Sequence, residues 1–356
     1  MQIFYLFLCL ISKIFLNFME EYIFLECQKL VNQFFGTSFI DFKPLKGAGS
    51  ARRYFRILIG EKSYIICFSE NIAENKTFIS LTGYFLESGL PVPEIYGVSD
   101  DFKFYILRDL GDIDLMSLLQ GRSGKFPIDT ISVIMADLSR FQRLPRKQWN
   151  NLVEFPPLGS ELIRFDFNYC IDNFFHACGV AYDEAGLHRE FNLLEKILLS
   201  YPSDLWGLMY RDFQSRNIML ADGRPFFIDY QSCRFGPGIY DLVSFAWQAK
   251  AAFSNIERME ILDLYCSALE SLGVSSTQSV RDNVPYWALF RIIQTLGAYG
   301  LRGLKEGKAH FIESIPPALK NINELLDKDG MDSQFPILRD IIKDISVKYV
   351  HKYVHK

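Results

Sequence analysis

A polar cluster enclosed by apolar runs near the middle of the chain constrains the fold more than any other feature. Residues 210–217 read Tyr-Arg-Asp-Phe-Gln-Ser-Arg-Asn, and the apolar run 218–220 follows directly. A further carboxylate, Asp229, ends a second apolar run. Because charged and amide side chains are seldom fully buried without partners, the fold must bring Asp212, Asn217 and Asp229 to a polar surface near the base of a hairpin.

The turn between the two apolar runs indicates that hairpin. Asp222-Gly223 separates residues 218–220 from residues 225–228, and this dipeptide is typical of a two-residue β-turn. We therefore predict a short β region here.

The rest of this half has helical periodicity. Apolar residues recur three and four positions apart over residues 131–141 and again over residues 261–272, which predicts amphipathic helices. We predict a larger, mainly helical C-terminal lobe over residues 111–345 and a solvated tail over residues 346–356.

The preceding segment predicts a compact, β-rich lobe over residues 19–110. Its predicted elements are a leading helix over 20–35, strands over 54–59, 63–68 and 102–110, and a helix over 74–87. The glycine of Gly60-Glu61-Lys62 favours a hairpin turn between the first two strands, and Gly89 followed by two prolines ends the second helix.

The first eighteen residues are almost wholly apolar but match no targeting signal. Lys13 interrupts the run, no basic residue precedes it, and no small-residue cleavage site follows. The run is also shorter than the roughly 20 residues of a membrane-spanning helix. We expect residues 1–18 to be a doubtful extension, with translation starting at Met19; a membrane-surface anchor is the alternative.

Composition excludes several classes of protein. The 356 residues suffice for two lobes, and a hydrophobic content of 49% excludes a disordered chain. Thirty-eight basic and 42 acidic residues give a formal charge of −4, which argues against a nucleic-acid partner held by phosphate neutralisation. Seven scattered cysteines without CxxC spacing predict reduced thiols in apolar sites, and therefore a cytoplasmic protein.

The polar cluster contains the residue types that phosphoryl transfer requires. That chemistry needs one carboxylate to orient the acceptor hydroxyl, and an amide and a second carboxylate as hard oxygen ligands for Mg²⁺. Asp212, Asn217 and Asp229 supply such a set. The alternative for each residue alone is structural: the two aspartates cap turns, and Asn217 bonds the backbone.

Spacing makes the cluster more specific. Asp212 and Asn217 stand five residues apart, as in the kinase pattern HRDxxxxN, and Asp229 follows twelve residues later. Three motifs, R-D-F-Q-S-R-N-I-M (211–219), I-D-Y-Q (228–231) and G-P-G-I-Y-D-L-V-S (236–244), resemble the aminoglycoside phosphotransferase family. Within that family the three motifs most resemble the branch of bacterial N-acetylmuramate/N-acetylglucosamine anomeric kinases. Weaker matches at 49–56, 107–112 and 307–316 extend the resemblance over residues 42–325.

The resemblance implies an α+β, two-lobed protein-kinase-like fold, with ATP in the cleft between the lobes and Mg²⁺ bridging its phosphates. By position it implies that Asp212 is the catalytic aspartate and that Asn217 and Asp229 are metal ligands. Gly49 and Ser50 would lie in the loop over the phosphates. Asp241 of the Tyr-Asp-Leu motif would instead hold the catalytic loop.

The sequence departs from the pattern of kinase-like proteins in two places. Tyr210 stands where many relatives have a histidine, a position that usually supports the loop. The strand 63–68 has no lysine where protein kinases bind the α- and β-phosphates. Nearby cations that could replace it are Arg52, Arg53, Arg56 and Lys62. We select Arg53 as the cation that binds the phosphates, and we expect Glu74 to orient it. The alternative for Arg53 is a solvated strand residue, and the alternative for Glu74 is an acid favoured at a helix N-terminus.

Two further segments complete the candidate site. The strand ending in Arg108, Asp109 and Leu110 is the expected hinge, where adenine would meet backbone groups. Glu161 and Asp166 are candidates to face the acceptor, and a solvated helix face explains them equally well.

The sequence therefore predicts an ATP-dependent kinase of a small-molecule hydroxyl acceptor, in particular an amino sugar phosphorylated at its anomeric hydroxyl. The alternatives are a kinase of an aminoglycoside, choline or homoserine, and a nucleotide-binding pseudokinase. Aminoglycosides and choline are cationic and require acids in their pockets, whereas an acetylated or lactyl-bearing sugar requires amide donors or a base.

Overall fold

The computed structural model describes residues 2–45, 51–121, 125–328 and 330–353. The chain divides into two compact units. The first comprises Met1–Asp112 together with Phe226–Gln231, and the second comprises Ile113–Pro225 and Ser232–Lys356.

The first unit is built on one antiparallel sheet of five strands in the order β1-β2-β3-β5-β4. Its elements in chain order are α1 (Gln2–Phe35), β1 (Asp41–Pro44), β2 (Arg53–Ile59), β3 (Lys62–Phe68), α2 (Ile72–Glu87), β4 (Ile95–Val98) and β5 (Phe104–Arg108). The strands β1 and β4 were not predicted, because a run of four residues gives little periodicity.

One face of this sheet packs against α1. Ile23, Cys27, Leu30 and Val31 form a buried stripe along the helix at the three- and four-residue spacing predicted for it. They join core side chains of the strands, among them Phe55. The predicted helix over 20–35 is part of a longer helix in the structure, α1.

The local signals for turns and caps place the other elements. Gly60 has a positive φ of 59° in the two-residue turn between β2 and β3, where Ile59 pairs with Lys62. Helix α2 begins two residues earlier than predicted because the Asn71 side chain accepts a hydrogen bond from the Glu74 N–H. Strand β5 is shorter than predicted because Phe102, at φ 60°, lies in a turn.

The second unit is mostly helical. Its helices are α3 (Leu115–Gly121), α4 (Ile128–Gln142), α5 (Arg146–Trp149), α6 (Ser160–Cys170), α7 (His176–Cys178), α8 (Glu184–Leu199), α9 (Ile239–Ala246), α10 (Asn255–Ser271), α11 (Thr277–Tyr299), α12 (Ala309–Ile312), α13 (Ile315–Leu326), α14 (Met331–Gln334) and α15 (Pro336–Tyr353). A small antiparallel sheet and a larger helical part confirm the predicted α+β fold class.

Short strands interrupt these helices where the polar cluster lies. They are β6 (Trp206–Met209), β7 (Ile218–Ala221), β8 (Arg224–Phe227) and β9 (Arg234–Pro237), paired as β6-β9 and β7-β8. The predicted hairpin is β7-β8, with Asp222 and Gly223 both at positive φ. The β region is longer than predicted, because β6 and β9 form a second ladder beside it.

Five described cysteines, Cys27, Cys67, Cys170, Cys233 and Cys266, are buried free thiols, as predicted for apolar sites. Over the described residues, the structure has no helix with the length and apolar character needed to cross a membrane.

Candidate active site

The loop between β6 and β7 presents Asp212 to solvent while its neighbours are buried. Tyr210 and Phe213 are fully buried, with ring centroids 5.2 Å apart, and Tyr210 also lies 5.3 Å from Phe141. The Asp212 side chain between them remains 44% exposed. The apolar anchors on both sides therefore fix the backbone and leave one carboxylate on the surface. Tyr210 occupies the supporting position that the sequence suggested for it.

Asp241 holds the backbone of this loop from below. Its carboxylate accepts hydrogen bonds from the N–H groups of Tyr210 (2.8 Å) and Arg211 (2.9 Å) and from Nε2 of Gln142 (2.9 Å). Arg211 has a φ of 81°, an unfavourable conformation for a residue with a Cβ. Burial raises the pKa of Asp241 to about 7, against the lowering effect of its hydrogen-bond donors. The predicted structural role of Asp241 is thus borne out.

Asn217 closes the loop on itself. Its Nδ2 donates to the backbone carbonyl of Asp212 at 2.9 Å, and its side chain is nearly buried. Because a carbonyl accepts only from the amide nitrogen, this bond orients Oδ1 the other way. The predicted bond from Asn217 to the backbone is therefore present, and it does not use Oδ1.

Arg291 is a functional candidate that sequence reasoning missed. It lies on α11, where it donates to Ser244 Oγ at 2.7 Å, and its Nη2 is 3.6 Å from Asp212 Oδ1. The guanidinium is 5% exposed in the middle of the run Trp287–Ile293. A lone arginine within an apolar helical stretch was the available signal, since such a charge is buried only with partners.

Asp166 and Glu161 do not share a role, although both were candidates to face the acceptor. They lie on α6 five positions apart, which places them on different sides of the helix. Glu161 is exposed, whereas Asp166 is 3% exposed and pairs with Arg211 at 3.1 Å. Burial raises the pKa of Asp166, and Arg211 opposes that rise. A solvated helix face is therefore wrong for Asp166, which pairs with Arg211 of the loop between β6 and β7.

The first unit contains a second cluster around a buried arginine, Arg52. Its Nη2 is 2.6 Å from Glu74 Oε1, and its Nη1 is 3.4 Å from Asp229 Oδ1. The predicted contact between Arg53 and Glu74 is wrong, because Arg53 pairs with Glu20 of α1. Successive residues of an extended strand point to opposite faces, so only one of the two arginines can reach Glu74.

Arg52 lies on the face of the sheet that carries Cys67, in the strand where protein kinases have a lysine and this chain has none. The paired residues Tyr54, Cys67 and Tyr105 form one row across β2, β3 and β5. The charge of the Arg52 guanidinium acts on all three side chains. Arg52, the residue just before β2, thus places a cation near Cys67 of β3, the strand in which protein kinases carry the lysine.

Asp229 follows β8 and has a left-handed backbone conformation, which is uncommon for a residue other than glycine. Its φ is 69°, its side chain is 42% exposed, and its Oδ1 accepts from Gln231 Nε2 at 2.8 Å. The next residue, Tyr230, is fully buried, bonds Thr82 at 2.6 Å and stacks on Phe78 at 5.0 Å. Burial of Tyr230 against α2 therefore fixes the carboxylate that precedes it.

Asp229 and Asn217 each carry a side-chain oxygen of the kind that a magnesium ion prefers. Mg²⁺ prefers carboxylate and amide oxygens. Asp229 is oriented through Oδ1 by Arg52 and Gln231, and Asn217 is oriented through Nδ2, so each side chain keeps an oxygen for a ligand. Gly49 and Ser50, the other predicted phosphate-side residues, lie outside the residues that the structure describes.

The side chains at the predicted hinge are engaged in ion pairs. Arg108 Nη1 is 3.1 Å from Glu94, and Asp109 accepts two hydrogen bonds from Arg56, at 2.6 and 3.0 Å. The pKa of Asp109 is lowered: burial acts to raise it, but the bonds from Arg56 and neighbouring donors outweigh burial. Leu110 is buried. Only backbone groups of this segment would thus meet a nucleotide, and that contact stays a prediction.

Comparison with known proteins supplies a family and a fold. A family model described as phosphotransferase enzyme family (APH) matches residues 41–274, which include Asp212, Asn217 and Asp229. The N-acetylmuramate/N-acetylglucosamine kinase of Neisseria meningitidis serogroup B is 23% identical over 287 residues, covering 77% of this chain and 82% of that protein.

Two solved structures share the fold at low identity. The ADP-bound aminoglycoside phosphotransferase APH(2'')-Ib is 13% identical with a TM-score of 0.55, over 83% of this chain and 95% of that chain. An ethanolamine kinase of Plasmodium vivax is 14% identical with a TM-score of 0.55, over 79% of this chain and 81% of that chain. The predicted kinase-like fold is confirmed. With a family match over more than half of its length, the chain belongs to the APH phosphotransferase family and is a kinase that phosphorylates a hydroxyl group.

Proposed function

We propose that the protein is an ATP-dependent kinase of an amino sugar and that it phosphorylates the anomeric hydroxyl. The observation that carries this proposal is the isolation of one exposed carboxylate, Asp212, on a loop fixed by Asp241 and by buried aromatic side chains. The resemblance to a kinase of N-acetylmuramate and N-acetylglucosamine supports the acceptor class.

In the proposed reaction Asp212 accepts a hydrogen bond from the acceptor hydroxyl and directs its oxygen at the γ-phosphorus. As the new O–P bond forms, the bond from the γ-phosphorus to the leaving ADP oxygen breaks, and the hydroxyl proton passes to Asp212. Arg291 lies beside Oδ1 of Asp212, which leaves Oδ2 for the acceptor. An anomeric hydroxyl is more acidic than an ordinary alcohol, so positioning by a carboxylate suffices.

The remaining residues of the site bind the nucleotide. We assign Asn217 Oδ1 and Asp229 as magnesium ligands; the ion, when bound, offsets the negative charge of the phosphates. Arg52 replaces Arg53 as the proposed cation for those phosphates, because it is the arginine that contacts Glu74 and Asp229. The backbone of residues 108–110 is proposed to bind adenine.

A coupled assay of ADP release tests the acceptor class. The panel comprises N-acetylmuramate, N-acetylglucosamine, choline, ethanolamine, homoserine and kanamycin, each with and without Mg²⁺. We expect turnover with the acetylated sugars and its loss in Asp212→Asn. Phosphorus NMR of the product is expected to show phosphate coupled to the anomeric proton. A sugar 6-phosphate, or turnover confined to the cationic acceptors, would contradict the proposal.

A further inference from the structure

Three buried arginines lie around the catalytic loop of the second unit. Arg211 belongs to the loop, Arg234 begins β9, and Arg291 comes from α11; they are 9%, 8% and 5% exposed. Arg234 pairs across the ladder with Met209, two residues before Arg211. Three guanidinium groups on adjacent elements are unusual in an interior, because each carries a charge that cannot be titrated away.

Two of these arginines stand over the same tyrosine. The guanidinium carbons of Arg211 and Arg291 lie 5.0 and 5.5 Å from the centre of the Tyr240 ring. Arg234 instead lies 4.7 Å from the ring of Phe155, a half-exposed residue in the loop before α6. The cluster thus extends from the core toward a surface loop.

The carboxylates near the three arginines do not provide acceptors for all of their N–H groups. Asp166 binds Nη2 of Arg211, Asp212 lies beside Arg291, and Asp241 is committed to backbone donors and Gln142. Burial, followed by repulsion from Arg211, lowers the pKa of Arg234. The charges of Asp212 and Asp166 oppose this lowering, but no acid among the described residues forms an ion pair with Arg234.

Three buried hydrogen-bond donors of the cluster have no acceptor among the described residues. They are Nη1 of Arg211, Nε of Arg234 and the hydroxyl of Tyr240. An unsatisfied buried donor is costly, and more so when it is charged. Donors of this kind, left together beside a candidate catalytic carboxylate, are the arrangement expected of a site completed by a bound anion.

We propose that Arg211, Arg234 and Tyr240 bind a carboxylate of the acceptor, so that the enzyme prefers an anionic, carboxylate-bearing amino sugar to a neutral or cationic acceptor. The inference rests on the proposed function, which supplies the sugar. Arg211 and Asp212 are adjacent in the same loop. We therefore assign the bound carboxylate to the acceptor, whose hydroxyl is proposed to bind Asp212. A cationic amino alcohol would instead meet three guanidinium groups.

The test compares N-acetylmuramate with its methyl ester, which has nearly the same size but lacks the charge. For the wild type we expect kcat/KM on the acid to exceed that on the ester by about ten-fold or more, the effect of one charge-assisted hydrogen bond. Arg234→Gln is expected to reduce this ratio toward one, and Arg234→Lys to restore part of it. Arg234 is chosen because, unlike Arg211, it has no carboxylate partner in the part of the chain that the structure describes.

Arg189→Gln is the matched control, since Arg189 is an exposed arginine of the same unit, paired with Asp183. Its acid-to-ester ratio is expected to equal that of the wild type, and thermal unfolding confirms that each variant is folded. Equal kcat/KM for acid and ester in the wild type would overturn the inference and leave the proposed function intact. A rise in the KM for ATP in Arg234→Gln, equal with both acceptors, would assign the cluster to phosphate and also overturn it. Turnover of cationic acceptors and of neither sugar would overturn both proposals.

Discussion

Arg52 and Arg53 are neighbours in sequence but serve opposite faces of the first unit's sheet. Arg53 pairs with Glu20 of α1 on the face that packs against that helix, whereas Arg52 pairs with Glu74 and Asp229. A shift of one residue along a strand reverses the face. The sequence narrowed the candidate cation to four basic residues and selected Arg53, whereas the structure pairs Arg52, and not Arg53, with Glu74.

Replacing Arg52 is expected to weaken nucleotide binding far more than replacing Arg53. Charge-assisted bonds to phosphate contribute about 1.5–3 kcal/mol, or roughly ten- to a hundred-fold in affinity. Titration of ATP with Mg²⁺ into Arg52→Met and Arg53→Met measures the difference, and Arg52→Lys is expected to recover part of the affinity. Equal, small losses in the two methionine variants would reject the role proposed for Arg52.

The two aspartates of the candidate site are expected to have separable roles. Asp212→Asn should bind Mg-ATP like the wild type but lose most turnover, because Asp212 is proposed to act on the acceptor hydroxyl. Asp229→Asn should weaken nucleotide binding in the presence of Mg²⁺ and have little effect without it. Nucleotide titrations with and without the ion measure both, and identical profiles for the two variants would show that the roles are misassigned.

At the scale of elements, the candidate catalytic loop between β6 and β7 depends on residues distant in sequence. Asp241 at the start of α9 and Gln142 at the end of α4 bond to each other, and Asp241 holds the loop backbone after β6. The loop includes Arg211 at positive φ, a conformation that costs roughly 1–3 kcal/mol unless the surroundings impose it. The hydrogen bond from the Arg211 N–H to the carboxylate of Asp241 imposes this conformation.

Asp241→Asn is expected to lower kcat and stability together. The amide presents one donor group where the carboxylate presents an acceptor, so a buried N–H of Tyr210 or Arg211 loses its partner, at a cost of about 1–3 kcal/mol. Urea unfolding and steady-state kinetics measure the two effects. Asp263→Asn, at an exposed acid paired with Arg281, is the control. Unchanged kcat in Asp241→Asn would contradict the role of Asp241 in shaping the loop.

The end of β5 is expected to lose stability in acid through Asp109. The folded-state pKa of Asp109 is lowered, chiefly by bonds from Arg56 that overcome the effect of burial. The stabilisation is therefore present above the unfolded pKa, about 4, and is lost as the pH falls through the folded value. Urea unfolding from pH 7 to pH 2 should show Asp109→Asn less stable than the wild type at pH 7 and a difference that vanishes in acid. A difference independent of pH would contradict this linkage.

At the scale of the whole molecule, the chain divides into two units that are not continuous in sequence. Residues 226–231, which include Asp229, group with the first unit, although they follow the catalytic loop of the second. A division into residues 19–110 and 111–345 does not anticipate this exchange. The burial of Tyr230 against Phe78 and Thr82 of α2 accounts for it, and no local pattern encodes that contact.

Deleting residues 1–18 is expected to leave the thermal midpoint and kcat/KM unchanged. Phe18 is 67% exposed, while Ile23 and Cys27 further along α1 are fully buried in the core of the first unit. Differential scanning calorimetry and the ADP-release assay on the shortened chain check this. A lowered midpoint would show that the deleted segment belongs to the fold, and a full-length chain that partitions with membranes would favour the surface-anchor alternative.

The sequence by itself determined the family, the fold class and the β7-β8 hairpin, and it singled out the loop of Asp212 as the candidate catalytic loop, because each depends on motifs or periodicities within a few tens of residues. The tertiary structure alone decided which arginine contacts Glu74, why Asp166 is buried, and that Arg291 stands beside Asp212. These are contacts between elements far apart in the chain. Their partners follow from strand register and helix packing, which local propensity does not specify.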